Sequence, residues 1–242
     1  MKVWGITDRG SVRKENQDAW AAGLLREDLA LAVVCDGMGG ALAGNVASTL
    51  AVQTFWDEVA AHCANGWPAD PQSVLTQAAA LSNACVYRRS WEDAGCRGMG
   101  TTLVAALCDG RQAWVVNVGD SRCYAAGQAS IVQVSRDHSL VEMLVNRGEI
   151  TREEARSHPN KNLITRALGV EAEVQADLFS VDCPADSFLL LCSDGLSNLV
   201  TSQELLYELI HGGAPEGCCQ RLLELALGRG APDNVTAVLL QL

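Results

Sequence analysis

Three apolar runs in this sequence stop at an aspartate: Val33-Val34-Cys35-Asp36-Gly37, Val116-Asn117-Val118-Gly119-Asp120-Ser121 and Leu190-Leu191-Cys192-Ser193-Asp194-Gly195. A fourth acid, Asp233, stands immediately before a further run in Ala231-Pro232-Asp233-Asn234-Val235-Thr236. The runs are too short for most helices, and their spacing predicts buried strands over 29–35, 101–107, 113–118, 187–192 and 235–240. Taken alone, an Asp-Gly pair is a turn, because both residues tolerate turn geometry. Four acids at the margins of one apolar framework weigh differently. If the strand ends meet at one edge, the carboxylates repel one another unless cations lie between them, and hard oxygen ligands point to magnesium or manganese.

Helical spacing runs from Ala43 to about His62, with Val46, Leu50 and Val59 inward, and again from Pro71 to about Trp91, with no strand between. Thr201 and Glu204 have capping-box spacing ahead of Leu205–Ile210, and Pro215 to Leu227 predicts a further helix. Helices therefore come in pairs between groups of strands. That order predicts an α+β fold, mainly antiparallel sheets with helices packed outside, rather than the strict alternation of a parallel sheet. With 242 residues, 48% of them hydrophobic, and no linker-like stretch, one domain spanning 1–242 is the economical expectation. No basic segment followed by a long apolar run opens the chain. The expectation is a cytoplasmic protein without membrane insertion.

The formal charge of −11 argues against nucleic-acid partners, which require clustered lysine and arginine. None of the ten cysteines forms a C-x2-C pair, so zinc is not indicated. Cys35, Cys108, Cys123 and Cys192 lie in or beside apolar runs and are expected as buried free thiols. No cysteine has an arginine six positions later, which removes the loop of a tyrosine-phosphatase nucleophile.

Seven motifs in order, Arg13-Lys14-Glu15-Asn16-Gln17-Asp18, Asp36-Gly37-Met38-Gly39-Gly40, Gly100-Thr101-Thr102, Asn117-Val118-Gly119-Asp120-Ser121-Arg122, Asp137-His138-Ser139-Leu140, Ser193-Asp194-Gly195 and Asp233-Asn234-Val235-Thr236, cover nearly the whole chain. Together they resemble the metal-dependent serine/threonine protein phosphatases of the type 2C class, especially bacterial single-domain members. The resemblance implies a four-layer α-β-β-α sandwich of two antiparallel sheets flanked by paired helices. It also implies a dinuclear Mn2+ or Mg2+ centre with a weaker third site. By that resemblance Asp36 bridges both metals, the Gly37 carbonyl binds one, Asp194 and Asp233 bind the other, Asp120 serves the third site, and Asp18 is an outer-shell carboxylate. Arg13 is expected to hold the phosphate, because a guanidinium pairs with two phosphate oxygens at once. Its removal is expected to leave metal affinity unchanged.

The sequence departs from the wider family at Met38, where eukaryotic relatives carry a histidine thought to act as general acid, and at Ala41 and Asn45, where a histidine and a glutamate are common. Methionine donates no proton, so the acid is left open. His138 is expected to organise structure near the site, and His158 to be structural or solvent-exposed. The leading expectation is hydrolysis of phosphoserine and phosphothreonine on proteins by a monomer opposing a Ser/Thr kinase. The alternatives are an inactive module that binds phosphorylated partners and a hydrolase of small phosphoesters.

Overall fold

The computed structural model describes the backbone of residues 1–242 and the side chains of all but residues 41 and 42. The departure noted at Ala41 therefore lies outside the described side chains. Two antiparallel sheets pack face to face. One has β2 (Asp18–Arg26), β3 (Leu29–Met38), β5 (Leu103–Cys108), β6 (Gln112–Val118) and β9 (Asp177–Asp182) side by side, with the short β4 (Gly100–Thr101) paired to the end of β3. The other runs in the order β1 (Lys2–Asp8), β11 (Val235–Gln241), β10 (Phe188–Cys192), β7 (Arg122–Ala126) and β8 (Ile131–Gln133).

The predicted strands lack polar alternation because both faces of each are covered. Along β3, Leu29, Leu31, Val33 and Cys35 face one apolar layer, while Ala30, Ala32 and Val34 face the layer between the sheets. In β11, Val235, Ala237 and Leu239 face outward beneath helices, and Val238 and Leu240 face the other sheet. An antiparallel strand buried on both sides thus reads as a continuous apolar run, as parallel strands usually do. Burying each Val or Leu side chain among them stabilises the fold by about 1.5–3 kcal/mol before entropy is subtracted.

The outer layers are the predicted helix pairs. α1 (Gly40–Cys63) and α2 (Pro71–Glu92) cover the first sheet; α6 (Ser202–Ile210) and α7 (Cys218–Gly228) cover the second. Asp70 caps α2 by accepting from the Ser73 N–H, with Pro71 opening the helix. Thr201 and Glu204 form the predicted capping box of α6. The buried stripe of α1 is centred on Ala47, Ala51, Phe55 and Val59, and Val46 and Leu50 only flank it. Small alanines bring the helix close to the sheet, and the larger aliphatics lie at its edge.

Short elements escape the periodicity: α3 (Leu140–Asn146), α4 (Arg152–Ser157) and the single turn α5 (Asp194–Ser197). The four cysteines expected as buried free thiols are so. No helix among the described residues is long and apolar enough to cross a membrane.

Candidate active site and metal centre

The strand pairing brings the acids together. β3 continues past Cys35 because Gly37 and Met38 pair with Thr101 and Gly100, so Asp36 lies within the strand. Asp18 is its direct partner on β2. Asp194 and Asp233 follow and precede the central neighbours β10 and β11, and Asp120 follows β6. A cleft of about 580 Å3 at this end is lined by Arg13, Asp36, Gly37, Asp120, Asp194 and Asp233. Asp18 lies behind it, buried.

Hydroxyls and amides hold the acids in place. The Asp36 N–H donates to Thr102 Oγ1 at 2.8 Å, and the Asp36 carbonyl accepts from the Thr102 N–H at 2.9 Å. Asp18 Oδ2 accepts from Ser193 Oγ at 2.7 Å and Thr236 Oγ1 at 2.6 Å. Asp194 Oδ2 accepts from Asn198 Nδ2 at 3.0 Å. Two carboxylate oxygens, Asp18 Oδ1 and Asp194 Oδ1, are fully buried without a hydrogen-bond partner among the described residues. An unpartnered buried carboxylate oxygen is costly in a fold of protein atoms alone.

The electrostatics carry the same strain. Burial, reinforced by Asp18, Asp194, Asp120 and Asp233, holds the Asp36 carboxyl well above its ordinary value. Burial and then Asp194 push Asp120 up to about 8, against the opposing pull of Arg122. Burial and then Asp233 push Asp194 up to about 6. Asp18 is also raised to about 6 by burial, although its two hydroxyl donors pull it down. Like charges withdrawn from water raise one another in this way, and a divalent cation reverses the effect.

The chemistry of these residues fits hard divalent cations. The donors are all oxygen, two of the buried oxygens lack any other partner, and the backbone beside them is closely fitted. A Cβ at Gly37 would lie 2.1 Å from the Gly44 carbonyl oxygen, and one at Gly195 would lie 1.9 Å from that of Asn234. Only glycine permits either approach. Among the described residues no three acidic, histidine or cysteine side chains close into one compact ligand group. The carboxylates line the walls of the cleft, so the match rests on the orphaned oxygens and the donor chemistry.

Arg13 lies on a carboxylate of the same cleft: its Nη2 donates to Asp233 Oδ2 at 2.7 Å. Its loop is pinned by Asn234, whose Oδ1 accepts from the Gln17 N–H at 2.8 Å and whose Nδ2 donates to the Arg9 and Glu15 carbonyls at 2.8 and 2.9 Å. Thr102, Ser193, Asn234 and Thr236 stand within the sequence motifs, which by themselves assign them no task. The available signal is that each is a small polar residue flanking a predicted ligand or strand end.

His138 is buried beside the loop of Asp120 and does not line the cleft. Its Nδ1 accepts from the Gly119 N–H at 3.1 Å, and its Nε2 lies 3.2 Å from Asp177 Oδ2. That arrangement assigns the proton to Nε2. His158 is half-buried and its Nδ1 accepts from the Asn160 N–H in a local turn. Met38 lines the cleft, whereas Asn45 lies outside it on a groove between α1 and Arg89.

Comparison with known proteins adds the chemistry of relatives. A family model described as protein phosphatase 2C matches residues 9–223. The serine/threonine phosphatase stp of Listeria monocytogenes serotype 4b (strain F2365) is 37% identical over 235 residues, covering 97% of this chain and 93% of that protein. The crystal structure of the Mycobacterium tuberculosis serine/threonine phosphatase PstP/Ppp superposes with a TM-score of 0.89 at 37% identity, covering 100% of this chain and 98% of that one. A crystal structure of the PstP catalytic domain in complex with two manganese ions gives a TM-score of 0.86 at 36% identity, covering 98% of this chain and 96% of that one. Fold, cleft and relatives together define an enzyme of the protein-serine/threonine phosphatase class. The chain belongs to the protein phosphatase 2C family.

Proposed function

We propose that this chain hydrolyses phosphoserine and phosphothreonine on proteins, with two divalent cations, Mn2+ or Mg2+, held by Asp36, the Gly37 carbonyl, Asp194 and Asp233. The observation that carries the reading is the buried, unpartnered Asp194 Oδ1 in a cleft walled by three further aspartates. Such cations supply an acidified water for attack on phosphorus and neutralise charge that develops on the phosphoryl oxygens. Asp120 is assigned to a weaker third cation. Asp18, fixed by Ser193 and Thr236, supports the centre from behind.

Arg13 is the group that receives the phosphate. It is half-exposed at the cleft mouth, and a guanidinium fork can transfer from the Asp233 carboxylate to two phosphoryl oxygens. The leaving serine or threonine oxygen takes its proton from water, because Met38 offers none and no histidine lines the cleft among the described residues. The substrates are phosphorylated proteins, and a Ser/Thr kinase acting on the same residues is the natural opponent. A cytoplasmic monomer is the form proposed.

The test is hydrolysis of phosphoserine, phosphothreonine and phosphotyrosine peptides and p-nitrophenyl phosphate by chelator-stripped protein, with and without manganese or magnesium. Cation-dependent release from the first two peptides is expected. Full activity in excess chelator, or confinement of activity to p-nitrophenyl phosphate, would overturn the reading.

A further inference from the structure

Two more cavities share walls with the carboxylate cleft. One of about 370 Å3 shares Asp120 and Asp194 and extends beneath α4. The other, about 320 Å3, shares Met38 and Ile164 and extends to Glu171 and Glu173. The two share no lining residue with each other and adjoin different walls of the cleft that holds the proposed phosphate position.

The two side cavities differ in the charge left unpaired. In the larger side cavity Asp137 is held by Arg122, with Nη2 to Oδ2 at 2.6 Å, and Glu142 is paired with Arg152 at 3.2 Å. Apart from Asp120 and Asp194, which belong to the central cleft as well, what remains on that wall is Arg156 and Lys161, both exposed, neither with a side-chain hydrogen bond or ion pair among the described residues. In the other side cavity Arg166 is occupied by Asp177 at 2.8 Å and by the Gln175 carbonyl. Glu171 and Glu173 remain there without an ion pair among the described residues. The groove is therefore cationic on one side of the cleft and anionic on the other.

We infer that this groove reads the residues flanking the phosphorylated side chain, with Arg156 and Lys161 forming a subsite for an anionic group, a carboxylate or a second phosphate, on one side only. The inference rests on the phosphatase reading of the central cleft. Polar and charged groups arranged in this way set the orientation of a bound peptide more than its overall affinity. An acidic flank on the wrong side meets Glu171 and Glu173, and that repulsion is part of the selectivity.

Four phosphothreonine peptides test it: one otherwise uncharged, one with two aspartates before the phosphothreonine, one with two after it, and one carrying a second phosphate on the favoured side. They are compared on the manganese-loaded wild type, on the Arg156→Ala/Lys161→Ala double variant and on the Glu171→Gln/Glu173→Gln double variant. Wild type should favour one acidic flank over the other in kcat/KM, by about two- to fivefold for each exposed cation engaged. The preference should shrink in high salt, where exposed charges are screened. The cation-deleted variant should lose the preference while hydrolysing the uncharged peptide as wild type does. The glutamate variant should recover part of the activity on the disfavoured flank. Equal rates on both acidic peptides, or a preference that survives removal of both cations, would overturn the subsite. The rank of the second-phosphate peptide against the aspartate peptide identifies which anion the subsite takes. Silence of wild type on every peptide would instead overturn the phosphatase reading on which the subsite depends.

Discussion

Arg13 donates from Nη2 to Asp233 Oδ2 at 2.7 Å, so the proposed phosphate-binding cation and a proposed metal ligand occupy each other. The sequence expectation kept their tasks apart, with metal affinity indifferent to Arg13. The contact couples them. Cation binding at Asp233 and phosphate binding at Arg13 both compete with this pair, so either one weakens the hold on the other partner.

Arg13→Ala should lower kcat/KM on a phosphopeptide about ten- to hundredfold, the worth of a charge-assisted bond of roughly 1.5 to 3 kcal/mol. Removing the guanidinium also removes a competitor for Asp233, so manganese should bind the variant somewhat more tightly, read by titration calorimetry without substrate. Arg13→Lys should recover only part of the rate, since an ammonium lacks the fork. Unchanged kinetics would return Arg13 to the role of a surface residue.

Chelated protein should lose stability as pH rises from about 4 to about 8. Asp18 and Asp194, raised to about 6, and Asp120, raised to about 8, hold protons in the fold that an unfolded carboxyl releases near pH 3.9. A raised folded pKa gives stability that is full below the unfolded pKa and lost as pH climbs through the folded one. His138, held below its ordinary value by burial, acts in the opposite sense only below its unfolded pKa of about 6.5. Manganese should reverse the loss, so the gap in Tm between metal-loaded and chelated protein should widen with pH. A gap that narrows toward pH 8 would show that these carboxylates do not bind the ion.

Asn234→Ala should act through the loop rather than the metals. The substitution deletes three hydrogen bonds, one from the Gln17 N–H and two to the Arg9 and Glu15 carbonyls. Each net bond is worth about 0.5–1.5 kcal/mol. The expected result is a lower Tm, a raised KM and unchanged manganese affinity. A variant with normal KM would show that Arg13 is positioned without this clamp.

The framework strands and the four cleft acids were legible because three buried runs stop at an acid and a fourth acid stands just before another run, a pattern that burial alone does not produce. β1 and β2 were not, since Trp4, Ile6, Trp20 and Leu24 are only partly covered and interrupted by small or polar residues. Nor was the true inward face of α1, where Ala47 and Ala51 look weaker by hydrophobicity than Val46 and Leu50 but allow closer packing. The clamps made by Ser193, Thr236 and Asn234 were illegible for a different reason: each reaches a partner more than 170 positions away or across the chain ends. Spacing carries no record of such contacts.

Asp120 and the loop that carries it offer the means to separate a third cation from the first two. Asp120→Ala should reduce turnover substantially while two manganese ions still bind, because Asp36, Gly37, Asp194 and Asp233 are untouched. Deleting this carboxylate also removes one of the charges that raise Asp36, so affinity at the main pair should fall little. His138→Ala should give a weaker form of the same behaviour: it takes away the acceptor of the Gly119 N–H and loosens the loop without removing a ligand. The discriminating readout is metal stoichiometry measured beside the rate. Addition of manganese to higher concentration should restore part of the turnover of His138→Ala, whose ligands are intact, and none of the turnover of Asp120→Ala. Loss of all bound manganese in Asp120→Ala would place Asp120 in the main centre and remove the separate third site.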